Sequence, residues 1–501
     1  HEQACGYMAF GYGRSTGRPG VYSVVPGPGL LNTTAALATG WGCNTPMVCI
    51  TGQIPSAFIG RRRGHLHEIA DQLGTLKSLV KWAERIERPA DAPALVAEAF
   101  RQAQSGRPGP VALEMAWDVM ADSEVVPDAV AGVRDAPPKP DPAIVSHAAN
   151  LIRAARMPMI MTGSGAQHAA AEIARLAETI GAPVVAFRGG RGVVDEDGPW
   201  GLSSYAAFRL YRDCDLVIAI GTRLEMPTMR WGNMMQVATG LDGGRKLIRV
   251  DIDPAEMTRL FADAGIVADS ADAAAALVEA LAGHRAPDNR AAIATARAEA
   301  AGAIRVVQPE MDYLGVIRDL LPADGILVEE LCQAGFASYF GYPVHQPRTY
   351  VSTGFQGTLG FGFQTALGVK VAHPDRDVVS ITGDGGFMFG VQELATAVQY
   401  GIGLVTVVFN NAAYGNVRRD QETRYGNRLI GADLVNPDFV GLARAFGLDG
   451  ISVSSPAELG PVLAQALQAA RTTSRPALIE VKVERGSEAS PWPFIHPVKA
   501  Y

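Results

Sequence analysis

An α/β fold of doubly wound parallel sheets is predicted by three observations. Short apolar, β-branched runs alternate with alanine-rich helical stretches along all 501 residues. The apolar runs are continuous rather than alternating, which is the pattern of strands covered on both faces. At roughly 150 residues per domain, the length suggests about three such units.

Taken in order, the predicted strands are 21–25, 47–51, 111–115, 157–162, 184–187, 216–221, 247–252, 326–329, 378–382, 404–409 and 478–483. Predicted helices include 94–104, 170–180, 273–282, 391–400 and 457–471. Two stretches read as linkers: 123–142 is rich in Pro, Asp and Val without helical period, and 283–308 is charged and alanine-rich. They divide the chain into domains at 1–125, 140–285 and 310–501. The first and third blocks end alike. A helix is followed by Ser105-Gly106-Arg107-Pro108 before one strand, and by Ser474-Arg475-Pro476 before the other. The repeated punctuation suggests two related folds, and Pro after a helix is also the ordinary way to stop it.

Composition narrows the partners. A formal net charge of −7 with 48% apolar and 19% charged residues fits a globular chain and argues against nucleic acid or a membrane. The one basic run, Arg61-Arg62-Arg63, reads as a solvated loop or subunit contact, with an anionic ligand as the second reading. Five cysteines without a CxxC pair argue against a disulfide framework or zinc site and for a reducing, cytoplasmic location. No apolar stretch reaches the roughly 18 residues of a membrane span.

The sharpest motif is Gly383-Asp384-Gly385-Gly386 after the strand 378–382, followed 27 residues beyond Asp384 by Asn411 of the pair Asn410-Asn411. One predicted helix (386–400) and one strand (404–409) lie between, so both motifs emerge at the carboxyl edges of parallel strands, where open α/β sheets bind ligands. A carboxylate and an amide oxygen suit octahedral Mg²⁺ at about 2.1 Å. Gly385 and Gly386 allow close backbone approach to a diphosphate facing a helix N-terminus.

The segment 383–421, GDGGFMFGVQELATAVQYGIGLVTVVFNNAAYGNVRRDQ, closely resembles the thiamine-diphosphate motif of acetolactate synthases and their relatives. The resemblance implies that Asp384, the Asn411 side chain and the Ala413 carbonyl hold Mg²⁺, with Tyr414 at the cofactor. It also implies a diphosphate-contacting turn at Gln333, with Cys332 and Ala334 where the family usually has Gly and His.

The chain opens His1-Glu2-Gln3-Ala4 and continues Gly11-Tyr12-Gly13-Arg14-Ser15-Thr16-Gly17-Arg18-Pro19-Gly20-Val21, which resembles the family's RHEQ…GYARATGRPGV segment. That resemblance makes Glu2 the acid that hydrogen-bonds the aminopyrimidine. The chemistry needs one: a carboxyl protonating the pyrimidine ring drives the exocyclic amine toward the imine that deprotonates the thiazolium carbon. Gly357-Thr358-Leu359-Gly360 matches the family's GTMG turn, implying a Gly357 carbonyl acceptor and Leu359 as the wedge between rings. In the family two subunits share each active site, so a homodimer or homotetramer is implied. The family's first strand and helix of the pyrimidine-binding domain lie outside this sequence.

The implied architecture is a pyrimidine-binding domain, a central Rossmann-like domain and a diphosphate-binding domain. The central domain, with Gly163-Ser164-Gly165, Gly221-Thr222-Arg223 and Val250-Asp251-Ile252-Asp253-Pro254, resembles one that holds FAD in some members. The stretch after Gly201-Leu202 is shorter than in FAD-binding synthases, so FAD is not favoured.

For the substrate pocket, Asn416 and Asp420 replace the synthases' Met and Trp, and Leu66-His67 replaces Phe-Gln, making His67 a candidate catalytic residue. Val25-Pro26-Gly27-Pro28-Gly29 is apolar where some decarboxylases place a histidine. The leading expectation is a carboligase that decarboxylates a 2-ketoacid and adds the enamine to a second carbonyl. The alternatives are a 2-hydroxyacyl or aldehyde lyase, a non-ligating decarboxylase and, in another class, an inactive regulatory homologue. The segment Trp492-Pro493-Phe494-Ile495-His496 reads equally as a cover over the site or a packed terminus.

Overall fold

The computed structural model describes residues 1–232 and 235–499. Three sheets carry the chain, and every strand pairing is parallel. The first holds β1 (Gly20–Val24), β2 (Met47–Gln53), β3 (Trp82–Ile86) and β4 (Pro110–Ala116) in the order β1-β2-β4-β3. The second holds β5 (Pro158–Thr162), β6 (Val184–Ala186), β7 (Gly201–Leu202), β8 (Leu216–Ile220), β9 (Lys246–Asp251) and β10 (Ala264–Val267), ordered β10-β9-β8-β5-β6-β7. The third holds β11 (Ile326–Glu329), β12 (Tyr350–Val351), β13 (Val378–Gly383), β14 (Val405–Asn410), β15 (Asp449–Val453) and β16 (Ala477–Lys482), ordered β12-β11-β13-β14-β16-β15. Central strands such as β5, β8 and β11 are buried at every residue, as parallel sheets covered by helices require.

Two expectations need correction. Within 283–308, read above as a linker, Arg290–Ile304 is a helix. Alanine, the best helix former, makes it, and its small apolar stripe Ile293, Ala296 and Ala300 is buried in the core shared with helix Ser204–Tyr211. The predicted helix 386–400 is instead three short pieces, Asp384–Phe387, Val391–Glu393 and Leu394–Gln399, broken around Gly390.

The first and third sheets meet through helices Glu2–Thr16 and Gly362–Ala372. Their backbones touch reciprocally: a Cβ on Gly11 would lie 2.2 Å from the Thr365 carbonyl oxygen, and one on Gly368 would lie 2.0 Å from that of Met8. Tyr7 and Phe10 set their rings edge-on against Phe361 at this crossing.

Candidate active site

The carboxyl ends of β11, β13 and β14 bring one group of predicted residues together. Asp384 caps the end of β13 and is 2% exposed. Its Oδ2 accepts a hydrogen bond from Asn436 Nδ2 at 2.6 Å, and the same amide donates to Asn410 Oδ1 at 2.9 Å. Asn411 accepts from the Ala413 amide at 3.1 Å through Oδ1 and donates through Nδ2 to Glu488. Asn411 and Glu488 converge with Gln333: a Cβ placed on Gly415 would meet Asn411 Nδ2 at 2.8 Å, Gln333 Nε2 at 3.6 Å and Glu488 Oε2 at 3.7 Å.

The glycines of the motif are demanded by the protein itself. A Cβ on Gly385 would strike the Tyr414 ring at 2.5 Å, and one on Gly386 would strike the Glu330 carboxylate at 2.3 Å. Glu330, fully buried, accepts from the amides of Gly360 and Gly362 and from Thr382 Oγ1 at 2.7 Å. It thereby ties the end of β13 to the turn 357–360. Gly357 has φ +58° and Gly360 φ +79°, backbone that glycine adopts without strain. Leu359 is half-buried between them, and Thr358 Oγ1 lies 2.7 Å from the Tyr7 hydroxyl on the first helix.

The charge balance fits a divalent cation. Burial pushes the Asp384 carboxyl above its usual range, with Asn436 and backbone amides pulling back. Burial also raises Glu488, and the charge of Asp384 adds to it. Among the described residues neither carboxylate has a Lys or Arg within ion-pair distance. A buried and a half-buried acid, neither held in an ion pair, beside amide and carbonyl oxygens, are a donor set for a hard ion such as Mg²⁺.

A second group gathers at the carboxyl end of β1. Asn32 Nδ2 donates to Glu2 Oε2 at 3.1 Å, and this amide, after the residue's own backbone, holds the Glu2 carboxyl below its usual range. A Cβ on Gly29 would meet Val25 at 2.5 Å and Glu2 Oε1 at 3.6 Å, while one on Gly27 would meet the His67 carbonyl oxygen at 2.4 Å. Glu2, Val25 and His67 therefore line one edge. His67 has φ +70°, its Nδ1 is buried without a partner, and its ring stands edge-on to Trp117. Among the described residues no hydrogen bond joins this edge to the Asp384 group.

The remaining predicted residues divide. Asn416 Oδ1 accepts from Arg419 at 2.5 Å and from Trp492 Nε1 at 2.6 Å, so it ties helix Gly415–Arg424 to the C-terminal segment. Asp420 lies 3.7 Å from Arg424 in a half-exposed ion pair. Arg61, Arg62 and Arg63 are exposed. Glu330, Asn436 and Glu488 were not anticipated. The acidic pair Glu329-Glu330 closing the apolar run 326–328 was the available signal for the first.

A separate cavity of about 380 Å³ lies beside the second sheet, lined by Gly163, Ser164, Gly165 and Thr222 and by Arg14 and Arg348 from the neighbouring sheets. It contains none of the residues above.

Family models for thiamine pyrophosphate enzymes match three parts of the chain. These are the N-terminal TPP binding domain at residues 1–75, the central domain at 145–277 and the C-terminal TPP binding domain at 332–481. The chain is 34% identical to the acetolactate synthase large subunit of Parasynechococcus marenigrum, across 100% of its own length and 82% of the relative's. It is 32% identical to the probable acetolactate synthase large subunit of Methanocaldococcus jannaschii, across 97% and 84%. It is also 32% identical to the probable 2-ketoarginine decarboxylase AruI of Pseudomonas aeruginosa, across 96% and 86%. With three parallel sheets, a motif that gathers buried acids and amides at one edge, and full-length relatives of this kind, the chain belongs to the thiamine pyrophosphate enzymes, in the superfamily of acetolactate synthases and 2-ketoacid decarboxylases.

Proposed function

We propose that the protein is a carboligase of the acetolactate synthase type, releasing CO₂ from a 2-ketoacid and joining the remaining acyl fragment to a second carbonyl. The observation that carries this reading is the acid-poor wall at the β1 edge. Val25, 49% exposed, and Pro26 to Pro28 stand beside Glu2 and His67. A carboligase must withhold a proton from the acyl fragment until the second carbonyl arrives, whereas a simple decarboxylase must deliver one. The likeness to acetolactate synthase large subunits supports it.

When bound, thiamine diphosphate supplies the carbanion chemistry, taking up the electron pair that CO₂ leaves behind. The chain's own residues then have these roles. Asp384, Asn411 and the Ala413 carbonyl would hold Mg²⁺, while Gln333, Gly385, Gly386 and Tyr414 would surround the diphosphate. Gly357 would accept from the exocyclic amine and Leu359 would separate the rings. Glu2 holds a proton at the pyrimidine nitrogen, and His67 with Asn416 and Asp420 faces the substrate. Glu330 acts as a positioning residue by fixing the turn 357–360 to β13.

We infer three domains at 1–125, 140–285 and 310–501, and a homodimer or homotetramer in which the Glu2 edge of one chain meets the Asp384 edge of another. Exposed apolar side chains beside both edges, Val25 and Leu31 at one and Val417 and Ile430 at the other, support such an assembly. All five cysteines are free, in keeping with the cytoplasm, and no helix among the described residues is long and apolar enough to cross a membrane.

A second reading, non-ligating decarboxylation or lysis of a polar 2-ketoacid or hydroxyacyl substrate, is favoured by Asn416 and Asp420 replacing the synthases' apolar pair. Incubation with thiamine diphosphate, Mg²⁺ and a panel of 2-ketoacids, followed by mass spectrometry and CO₂ measurement, separates them. Coupled products with one CO₂ per pair of ketoacids support the carboligase; one aldehyde per CO₂ overturns it.

A further inference from the structure

Arg419 makes no ion pair among the described residues. It lies one turn into helix Gly415–Arg424, partly buried, with Nη2 on Asn416 Oδ1 at 2.5 Å and Nη1 3.4 Å from Gln333 Oε1. No carboxylate among the described residues lies within ion-pair distance of it. Its basic neighbours are engaged: Arg418 pairs with Asp433 at 2.9 Å and with Glu422, and Arg485 pairs with Asp433 at 3.4 Å. Around it the edge is acidic, with Asp420, Glu488 and Glu310. The Gln333 it touches opens the helix Gln333–Gly341, and that side chain converges with Asn411 at Gly415.

We propose that Arg419 binds the cofactor's diphosphate beside Gln333. The inference rests on the diphosphate edge described above. A guanidinium suits this place because it offers several N–H donors in a rigid plane and remains charged when partly buried. Asn416 orients it, and the acids of the edge keep its charge from repelling the metal. Charge-assisted hydrogen bonds of this kind are the strong ones, so losing one weakens binding by about 10- to 100-fold.

The test is calorimetric titration of the cofactor-free protein with thiamine diphosphate in the presence of Mg²⁺, at two salt concentrations, for the parent, R419A and R419K. The expected result is a Kd raised about 10- to 100-fold in R419A, an intermediate value in R419K, and a weaker salt dependence in R419A. A Kd for R419A within about twofold of the parent overturns the proposal, whatever happens to the ketoacid KM. Should R419A melt early, R419Q replaces it under the same criterion. If the parent itself binds no thiamine diphosphate, it is the reading of the edge that fails, and the proposal falls with it.

Discussion

The first sheet and the last four strands of the third are the same construction used twice. Their orders, β1-β2-β4-β3 and β13-β14-β16-β15, correspond strand for strand. Each set is preceded by a long helix, Glu2–Thr16 or Gly362–Ala372. Each final strand follows a helix, a residue with left-handed backbone (Gly106 at φ +55°, Ser474 at φ +52°) and a proline. What differs is the residues at the strand ends. β13 and β14 run into Gly383-Asp384 and Asn410-Asn411, which are acid and amide. β1 and β2 run into Val25-Pro26 and Ile54-Pro55, which are apolar. One scaffold therefore ends in acids and amides at one edge and in apolar residues at the other, and the loops make the difference.

That division of labour can be broken directly. Replacing Asp384 by Asn removes the carboxylate of the proposed metal set, and Mg²⁺-dependent affinity for thiamine diphosphate should fall by more than about 100-fold in calorimetry. Replacing Glu2 by Gln should leave that affinity nearly unchanged and lower kcat by on the order of 10²- to 10⁴-fold. If Glu2→Gln lost the cofactor as well, the two edges would not be separable in this way. A smaller effect is expected at Asn436, which touches Asp384 without belonging to the metal set. Asn436→Ala should weaken Mg²⁺ binding by about 10- to 100-fold while leaving the thermal melt of the cofactor-free protein in place.

The smallest effect concerns stability. Glu310, 2% exposed with both carboxylate oxygens unpartnered, is pushed up to about 8 by burial, with the charge of Glu488 adding to it. The folded chain thus keeps a proton that the unfolded chain releases near the ordinary value of 4.5. Stability is lost as pH rises from that value through about 8. Glu310→Gln should leave melts near pH 4 unchanged and stabilise the fold by about 1–3 kcal/mol at pH 9. An identical pH slope in both proteins would mean that the carboxyl reaches water or a cation.

The interior of each sheet was legible because buried parallel strands are continuous apolar runs. Five strands escaped the sequence reading: β3, β7, β10, β12 and β15. Each lies at the edge of its sheet, where a strand is short or alternates in burial, as Asp449–Val453 does. β3, with Trp82-Ala83-Glu84-Arg85-Ile86, carries charges that hide it. In the site, Asp384 and Asn411 could be read because their motif is local. Asn436 and Glu488 could not: they reach Asp384 and Asn411 across 52 and 77 residues of chain, and only the folded backbone puts them there.

The crossing of helices Glu2–Thr16 and Gly362–Ala372 makes the chain intolerant of substitution where it has no chemistry. A methyl group at Gly11 or Gly368 would meet a carbonyl oxygen head-on and wedge the two repeats apart. The turn that hangs from Tyr7 through Thr358 would move with them. Inactivating lesions in this protein are therefore to be looked for at two silent glycines as much as among its acids.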